Sequence, residues 1–313
     1  MKFPFLRSSE VPSLQLYGKL PVARDYLRIG CGDAAAQAFR DWLDGTFGTA
    51  REGDETLELA RPVRFFGWSE RAPIQGCLWP SSDAGQHRRF PFALLVERHR
   101  ATLEKELGEG NLEKSEPLWQ RLADLRERCL DAESGEALLR TFRGSDVNLG
   151  DMQPSEGSAA DYGAWIDALW PGEGEDGLRE TVEALRSLAS ARYAGPLRLP
   201  LVTGLPLRDQ AVAWVRVLRL LGVLDATTLP TLFLPLASLY ASGEPEALLV
   251  SPRALTGPEV VWLTAPVDGP SLGTADLAAE VGAAVLDASS APDADRWLRD
   301  ALPATVQAWG SGG

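Results

Sequence analysis

IQGCLWPSSDAGQHRRFPFALLVE, residues 74 to 97, holds two apolar runs separated by a polar turn. The runs are Ile74 to Trp79 and Phe90 to Val96, and the turn carries Pro80, Ser81, Ser82, Asp83, Gly85, Gln86, His87, Arg88 and Arg89. Short β-branched and aromatic runs bounded by Pro, Ser, Asp and Gly form hairpins, because those residues close turns and do not extend strands. The connecting loop is long for a hairpin, and a long loop within a compact domain is a place to look for function.

Working outward, Pro62 to Trp68 (PVRFFGW) reads as a neighbouring strand with Gly67 at a bulge. Upstream, Leu14 to Tyr17 alternates as a strand and stops at Gly18. A charged turn from Gly18 through Lys19, Arg24 and Asp25 to Tyr26 follows, and its default state is solvated. Asp33 caps a helix from Ala34 to about Phe47, with Ala35, Phe39, Trp42, Leu43 and Phe47 on one face. Ala101 to Gly110 reads as a charged connector. Leu118, Leu122, Leu125 and Cys129 then form a helical stripe started by Ser115 and Pro117, and Gly135 separates it from a short helix ending near Phe142.

From Gly144 to Gly163 the composition shifts to Gly, Ser, Asp and Pro, which places a boundary between residues 1–145 and 146–313. Beyond it, helices are expected at Tyr162–Trp170, Leu178–Ala191, Leu207–Leu221, Leu277–Leu286 and Asp295–Trp309. Strands are expected at Leu197–Val202, Thr231–Leu236, Ala247–Val250 and Glu259–Leu263. Short strands mixed with long helices in both halves point to an α/β or layered α+β fold, not a bundle or a sandwich.

The 313 residues carry a formal charge of −13 with 45% hydrophobic content. So acidic a surface repels phosphate backbones and anionic lipid, which leaves proteins as the open class of partner. No apolar run is long enough to span a membrane, and the opening MKFPFLRSSEVPS lacks the features of a secretory signal. Three widely spaced cysteines, Cys31, Cys77 and Cys129, suit reduced thiols in a cytoplasmic protein.

Searches for chemistry return little. Two histidines, His87 and His99, and no closely spaced cysteine pair leave no tetrahedral metal set. Gly172-x-Gly174-x-x-Gly177 has the spacing of a dinucleotide loop, but no strand precedes it. Glu173, Glu175 and Asp176 would also oppose a pyrophosphate there. Neither cofactor nor metal is therefore expected. Ser81 or Ser82 with Asp83 and His87 supply the elements of a hydrolase, yet they share one loop without a nucleophile elbow. Arg88 and Arg89 read either as a solvated pair or as a basic spot for a carboxylate or phosphate.

Two stretches together resemble the TagF family, also called ImpM or SciT, of type VI secretion-associated proteins. The first is Gly18-Lys19-Leu20-Pro21 with Asp25-Tyr26 and the Trp42-Leu43 helix. The second is Pro62 to Gly67, then Gly76 to Asp83 (GCLWPSSD) and Arg89-Phe90-Pro91-Phe92. Tyr26 stands where the family has Phe, the Ala84 to Arg88 spacer departs from its pattern, and residues past about 145 match poorly. The resemblance implies a layered domain with a central antiparallel sheet, related in shape to longin-type adaptors, followed by a divergent α/β domain. It also implies a non-enzymatic cytoplasmic regulator, linked to the forkhead-associated scaffold and acting on secretion by protein–protein binding. On that reading Lys19, Asp25, Asp83, Arg88 and Arg89 set register with a partner, and Trp79 or Phe90 anchors it if exposed. The structural alternative is that Asp83 braces its loop through backbone amides, Arg89 pairs with Asp25 inside the fold, and Trp42, Trp68 and Trp79 are core. The alternative is a phosphatase-like hydrolase built on Ser82, Asp83 and His87.

Overall fold

The computed structural model describes residues 14–30, 34–48, 61–68, 73–85, 88–108, 115–145, 196–202, 207–225, 229–235 and 246–253, with scattered positions between them. His87, Cys31, the Asp33 cap and the 172–177 loop lie outside these residues, as does most of the 144–163 boundary. So, wholly or largely, do the helices expected at 162–170, 178–191, 277–286 and 295–309 and the strand at 259–263. The chain forms two compact units.

The first unit is organised on an antiparallel sheet. Its strands are β1 (Leu14–Gly18), β2 (Leu27–Ile29), β3 (Val63–Trp68), β4 (Ile74–Trp79), β5 (Phe92–Glu97) and β7 (Thr231–Pro235). Their order is β2-β1-β5-β4-β3-β7, and every pairing between them is antiparallel. The central hairpin is the stretch from which the reading began: Ile74 pairs with Glu97 and Trp79 with Phe92. All six residues of β4 and the first five of β5 are buried, as expected for strands with a layer on each face.

Register sorts the side chains into those layers, because alternate residues of a strand face opposite ways. Tyr17, Ala93, Leu78 and Val63 share one row, and Gln15, Leu95, Gly76, Phe65 and Phe233 the next row on that face. Helix α1 (Ala34–Leu43) covers this face through Phe39, whose ring stacks 4.7 Å from Phe65. Gly76 is required here: a Cβ would stand 2.8 Å from the Phe65 ring and 2.3 Å from the Leu94 carbonyl oxygen. The last expected turn of α1 is π-helical, Asp44–Gly48, and buries Thr46 and Phe47.

The opposite face carries Cys77, Leu94, Arg64 and Trp79 and receives α3 (Ser115–Leu130), which buries Leu118, Trp119, Leu122, Leu125 and Cys129. Arg64, 3% exposed, reaches both carboxylate oxygens of Glu116 at 2.7 Å, and its guanidinium lies 5.1 Å from the Trp119 ring centroid. Helix α4 (Gly135–Arg143) follows, its first turn capped by Ser134 Oγ, which accepts from the Ala137 amide at 3.2 Å.

Two segments differ from the sequence reading. Ala101–Gly110, expected as a charged connector, is largely helix α2 (Arg100–Gly108). Its Leu103, Glu106 and Leu107 are buried, so the inward stripe includes a carboxylate, which hides the helical period from a hydrophobicity count. Glu106 is accommodated by Arg98 at 2.6 Å. Strand β2, only three residues long, was not expected and lies alongside β1 through Tyr17–Arg28. The Gly67 bulge is present: the β3–β4 register shifts between Phe65 and Trp68, and Gly67 has φ of +80°. A Cβ there would meet the Pro230 carbonyl oxygen at 2.3 Å, beside β7.

The second unit contains β6 (Leu197–Leu201) and β8 (Glu246–Ser251), paired antiparallel, and α5 (Leu207–Leu220). Ala211, Trp214, Val215 and Leu218 of α5 are buried as the spacing requires, and Gln210 ties the helix to the Val202 backbone at 2.7 and 3.0 Å. With helices flanking a central antiparallel sheet, the fold is layered α+β.

Candidate functional site: a motif cluster at one end of the sheet

The residues of the Gly-Lys-Leu-Pro, Asp-Tyr, Ser-Ser-Asp and Arg-Phe-Pro motifs converge where β1 and β4 end and β5 begins. Gly18 makes this convergence possible. Its φ of +126° is open to glycine, and its α-carbon lies so close to β5 that a Cβ would fall 2.0 Å from the Pro91 carbonyl oxygen. The chain then turns, with the Ala23 amide donating to the Leu20 carbonyl at 3.0 Å. The long hairpin loop closes in two steps: the Phe90 amide donates to the Ser81 carbonyl at 3.0 Å and the Asp83 amide to the Arg88 carbonyl at 3.2 Å. Ser82 bridges Arg89 across the loop. The Ala84 amide donates to the Ala23 carbonyl at 3.1 Å, fastening the hairpin loop to the turn after β1.

At the centre lies an interior ion pair. Lys19 is 1% exposed, and its Nζ stands 3.6 Å from Asp83 Oδ2. The same ammonium lies 4.7 Å from the Tyr26 ring centroid. Tyr26 stacks on Tyr17 at 6.1 Å and meets Phe90 edge-on at 4.8 Å, and Phe90 contacts Phe47 at 6.4 Å. Trp42, half-buried, packs on Phe39, Phe47 and Phe233. The Tyr17 hydroxyl donates to Asp44 Oδ1 at 2.5 Å. Burial pushes the Tyr17 phenol well above its usual range, and the bond to Asp44 and its negative charge add to the shift. Tyr26 is raised by burial and then by Asp44, with Arg88 acting the other way.

This geometry revises the expected roles. Trp79 and Phe90 are 2% and 3% exposed, so neither anchors a partner; Trp79 packs on Phe92, and Phe90 belongs to the aromatic cluster. Lys19 and Asp83 face each other inside the fold, their side chains 1% and 9% exposed. Local sequence cannot distinguish a buried lysine from a solvated one, which is why the turn reads as hydrated. Leu20 and Pro91 are buried, and Pro80 and Ser81 half-buried. Pro21, Asp25, Arg88 and Arg89 are exposed, as is Tyr26 at 38%. Tyr17, Asp44 and Phe47 were missed as participants. Their one signal is that Tyr17 and Tyr26 flank the motif turn.

Because the Lys19–Asp83 pair is almost dry, Lys19→Met is expected to cost about 2 kcal/mol, less than a closer pair would. Combining it with Asp83→Leu should return part of that loss in urea unfolding. A double variant no more stable than the single one would show that the pair contributes nothing.

Cys77 and Cys129 are buried free thiols. Burial pushes Cys77 far above the ordinary thiol range and Cys129 up to about 11. At neutral pH roughly one Cys129 in ten thousand is then a thiolate, too few for nucleophilic work. Iodoacetamide should leave both unlabelled in the folded protein and label both in urea, read by peptide mass mapping. Among the described residues no three of His, Cys, Asp and Glu gather as metal ligands, and no helix is long and apolar enough to cross a membrane.

Comparison with known proteins places this cluster. Residues 15–141 match the family model "TagF N-terminal domain, Type VI secretion system-associated", a span that includes every motif residue above. No curated protein matches the chain. Among solved structures, a crystal structure of PA0076 from Pseudomonas aeruginosa PAO1 is similar at 12% identity and a TM-score of 0.43, over 80% of this chain and 94% of that one. With the motifs and the sheet on which they converge, the match identifies residues 15–141 as a TagF N-terminal domain, a type VI secretion system-associated domain.

Proposed function

We propose that this protein is a cytoplasmic, non-enzymatic regulator of type VI secretion, acting after synthesis by binding protein components of the apparatus. The observation that carries the reading is the use to which the motif residues are put. Gly18, Lys19, Asp83, Phe90 and Pro91 are spent on fixing two loops against one end of the sheet. They hold a shape, as a docking module requires, and Asp83 stands against Lys19 within that frame. The forkhead-associated scaffold is the partner the family resemblance suggests, and restraint or positioning of assembly is the effect.

Crosslinking the full-length protein in the cytosol of a secretion-competent cell tests this directly. Recovery of a secretion component, with no turnover of generic esters by the purified protein, is the expected result. Recovery of none would end the regulatory reading. Ester turnover that disappears in His87→Ala while the fold is retained would establish the hydrolase instead.

A further inference from the structure

The exposed side of the motif cluster is charged oppositely to the chain as a whole. Arg24, Arg88 and Arg89 are exposed there, with the exposed carboxylate of Asp25 beside them and the half-buried one of Asp44 acting on Tyr26. The Asp25 carboxylate accepts the Tyr26 amide at 2.8 Å. The Ala84–Ala23 hydrogen bond joins the loop bearing Arg88 to the loop bearing Arg24. Neither Arg24 nor Arg88 forms an ion pair among the described residues. Tyr26, partly exposed beside them, is held from below by Tyr17, Phe90 and the Lys19 ammonium.

We infer that this face, made by Arg24, Tyr26 and Arg88, binds an acidic segment of a partner protein. The inference rests on the regulatory reading and gives it a partner chemistry. Guanidinium groups pair with Asp and Glu carboxylates in a planar, two-pronged geometry. The Tyr26 ring offers an apolar platform whose orientation is already fixed, so little entropy is lost when a segment packs on it. The net charge of −13 selects the class of partner. Nucleic acid and anionic membrane need an extended basic surface and are repelled by the rest of this one. A short carboxylate-bearing segment needs only a small basic spot, and the surrounding field rejects larger polyanions.

The test uses the full-length protein and a fluorescein-labelled peptide of Glu-Glu-Gly-Ser repeats, followed by anisotropy. The wild type is expected to bind it, to lose affinity as salt rises, and to ignore the same peptide with Gln for Glu. Arg24→Glu with Arg88→Glu should weaken binding by roughly tenfold or more. Arg24→Gln with Arg88→Gln should give an intermediate loss, and unchanged thermal melts would show that both variants fold. Equal binding by wild type and the charge-reversed variant overturns the inference. So does equal binding of the Gln peptide, or binding of a phosphothreonine peptide, a single-stranded oligonucleotide or phosphatidylserine vesicles in place of the glutamate peptide. In cytosolic crosslinking, a secretion component captured equally by wild type and the charge-reversed variant sinks this inference and leaves the regulatory reading standing. Capture of none by the wild type sinks the regulatory reading itself.

Discussion

Gly18→Ala is expected to prevent the first unit from holding its native sheet. The residue has φ of +126°, where an L side chain is strained before any neighbour is considered. A Cβ would lie 2.0 Å from the Pro91 carbonyl oxygen and 2.9 Å from the Phe92 α-carbon. Both are backbone atoms, of the first residue of β5 and the residue before it, so no rotamer change can make room. Relief requires β1 and β5 to separate at the point where Gly18 pairs with Phe92. That separation would carry Lys19 away from Asp83 and open the aromatic cluster above it. A loss above about 4 kcal/mol follows, comparable with the whole stability of many domains. Gly135→Ala is the matched control, since nothing lies within 4 Å of a Cβ there and the residue opens α4. It should be neutral or stabilise by about 0.5 kcal/mol. Urea unfolding followed by near-ultraviolet dichroism reads both. If Gly18→Ala unfolds within about 1 kcal/mol of wild type, the close approach of these two strands is wrong.

That glycine also shows how far the sequence could be read. The hairpin of β4 and β5 was legible because apolar runs and turn formers both report on it within about two dozen residues. So was the α3 stripe, where Leu118, Leu122, Leu125 and Cys129 are all buried. What local pattern cannot report is pairing between distant segments. Strand β7 was visible as a strand, but nothing between Thr231 and Pro235 says that Phe233 pairs with Phe65 of β3. The same holds for buried charge. Lys19, Arg64, Arg98 and Glu106 read as surface residues because most charged residues are, and only the fold supplies the partner that makes each burial tolerable. Of the site, the motif residues could be located but not their roles. Tyr26 and Phe90 are similar as letters, yet one is partly exposed and the other is core.

Arg98→Ala is expected to be the most damaging charge removal in the first unit, for a reason unrelated to docking. Arg98 follows β5 and is buried with Glu106 of α2, their side chains 4% and 5% exposed. Its guanidinium donates to Glu106 Oε1 at 2.6 Å and to the Gln75 side-chain carbonyl of β4. Glu106 Oε2 also accepts from the Ser115 hydroxyl, at 3.3 Å, at the start of α3. One cation thus joins the hairpin to two helices. Truncating it leaves a buried carboxylate with, among the described residues, one hydroxyl donor, which costs about 3–5 kcal/mol. Pairing Arg98→Met with Glu106→Met should recover most of the loss, because apolar groups of similar volume can replace a buried ion pair at little cost. The coupling in such a double-mutant cycle is expected at about 2–3 kcal/mol. High salt should barely change it, since buried pairs are poorly screened. Arg140–Glu136, an exposed pair on α4, provides the contrast: Arg140→Gln should fall within about 0.5 kcal/mol of wild type. A double variant no more stable than Arg98→Ala alone would mean that the cost comes from lost packing of the arginine stem, and that the carboxylate beneath it never depended on the charge.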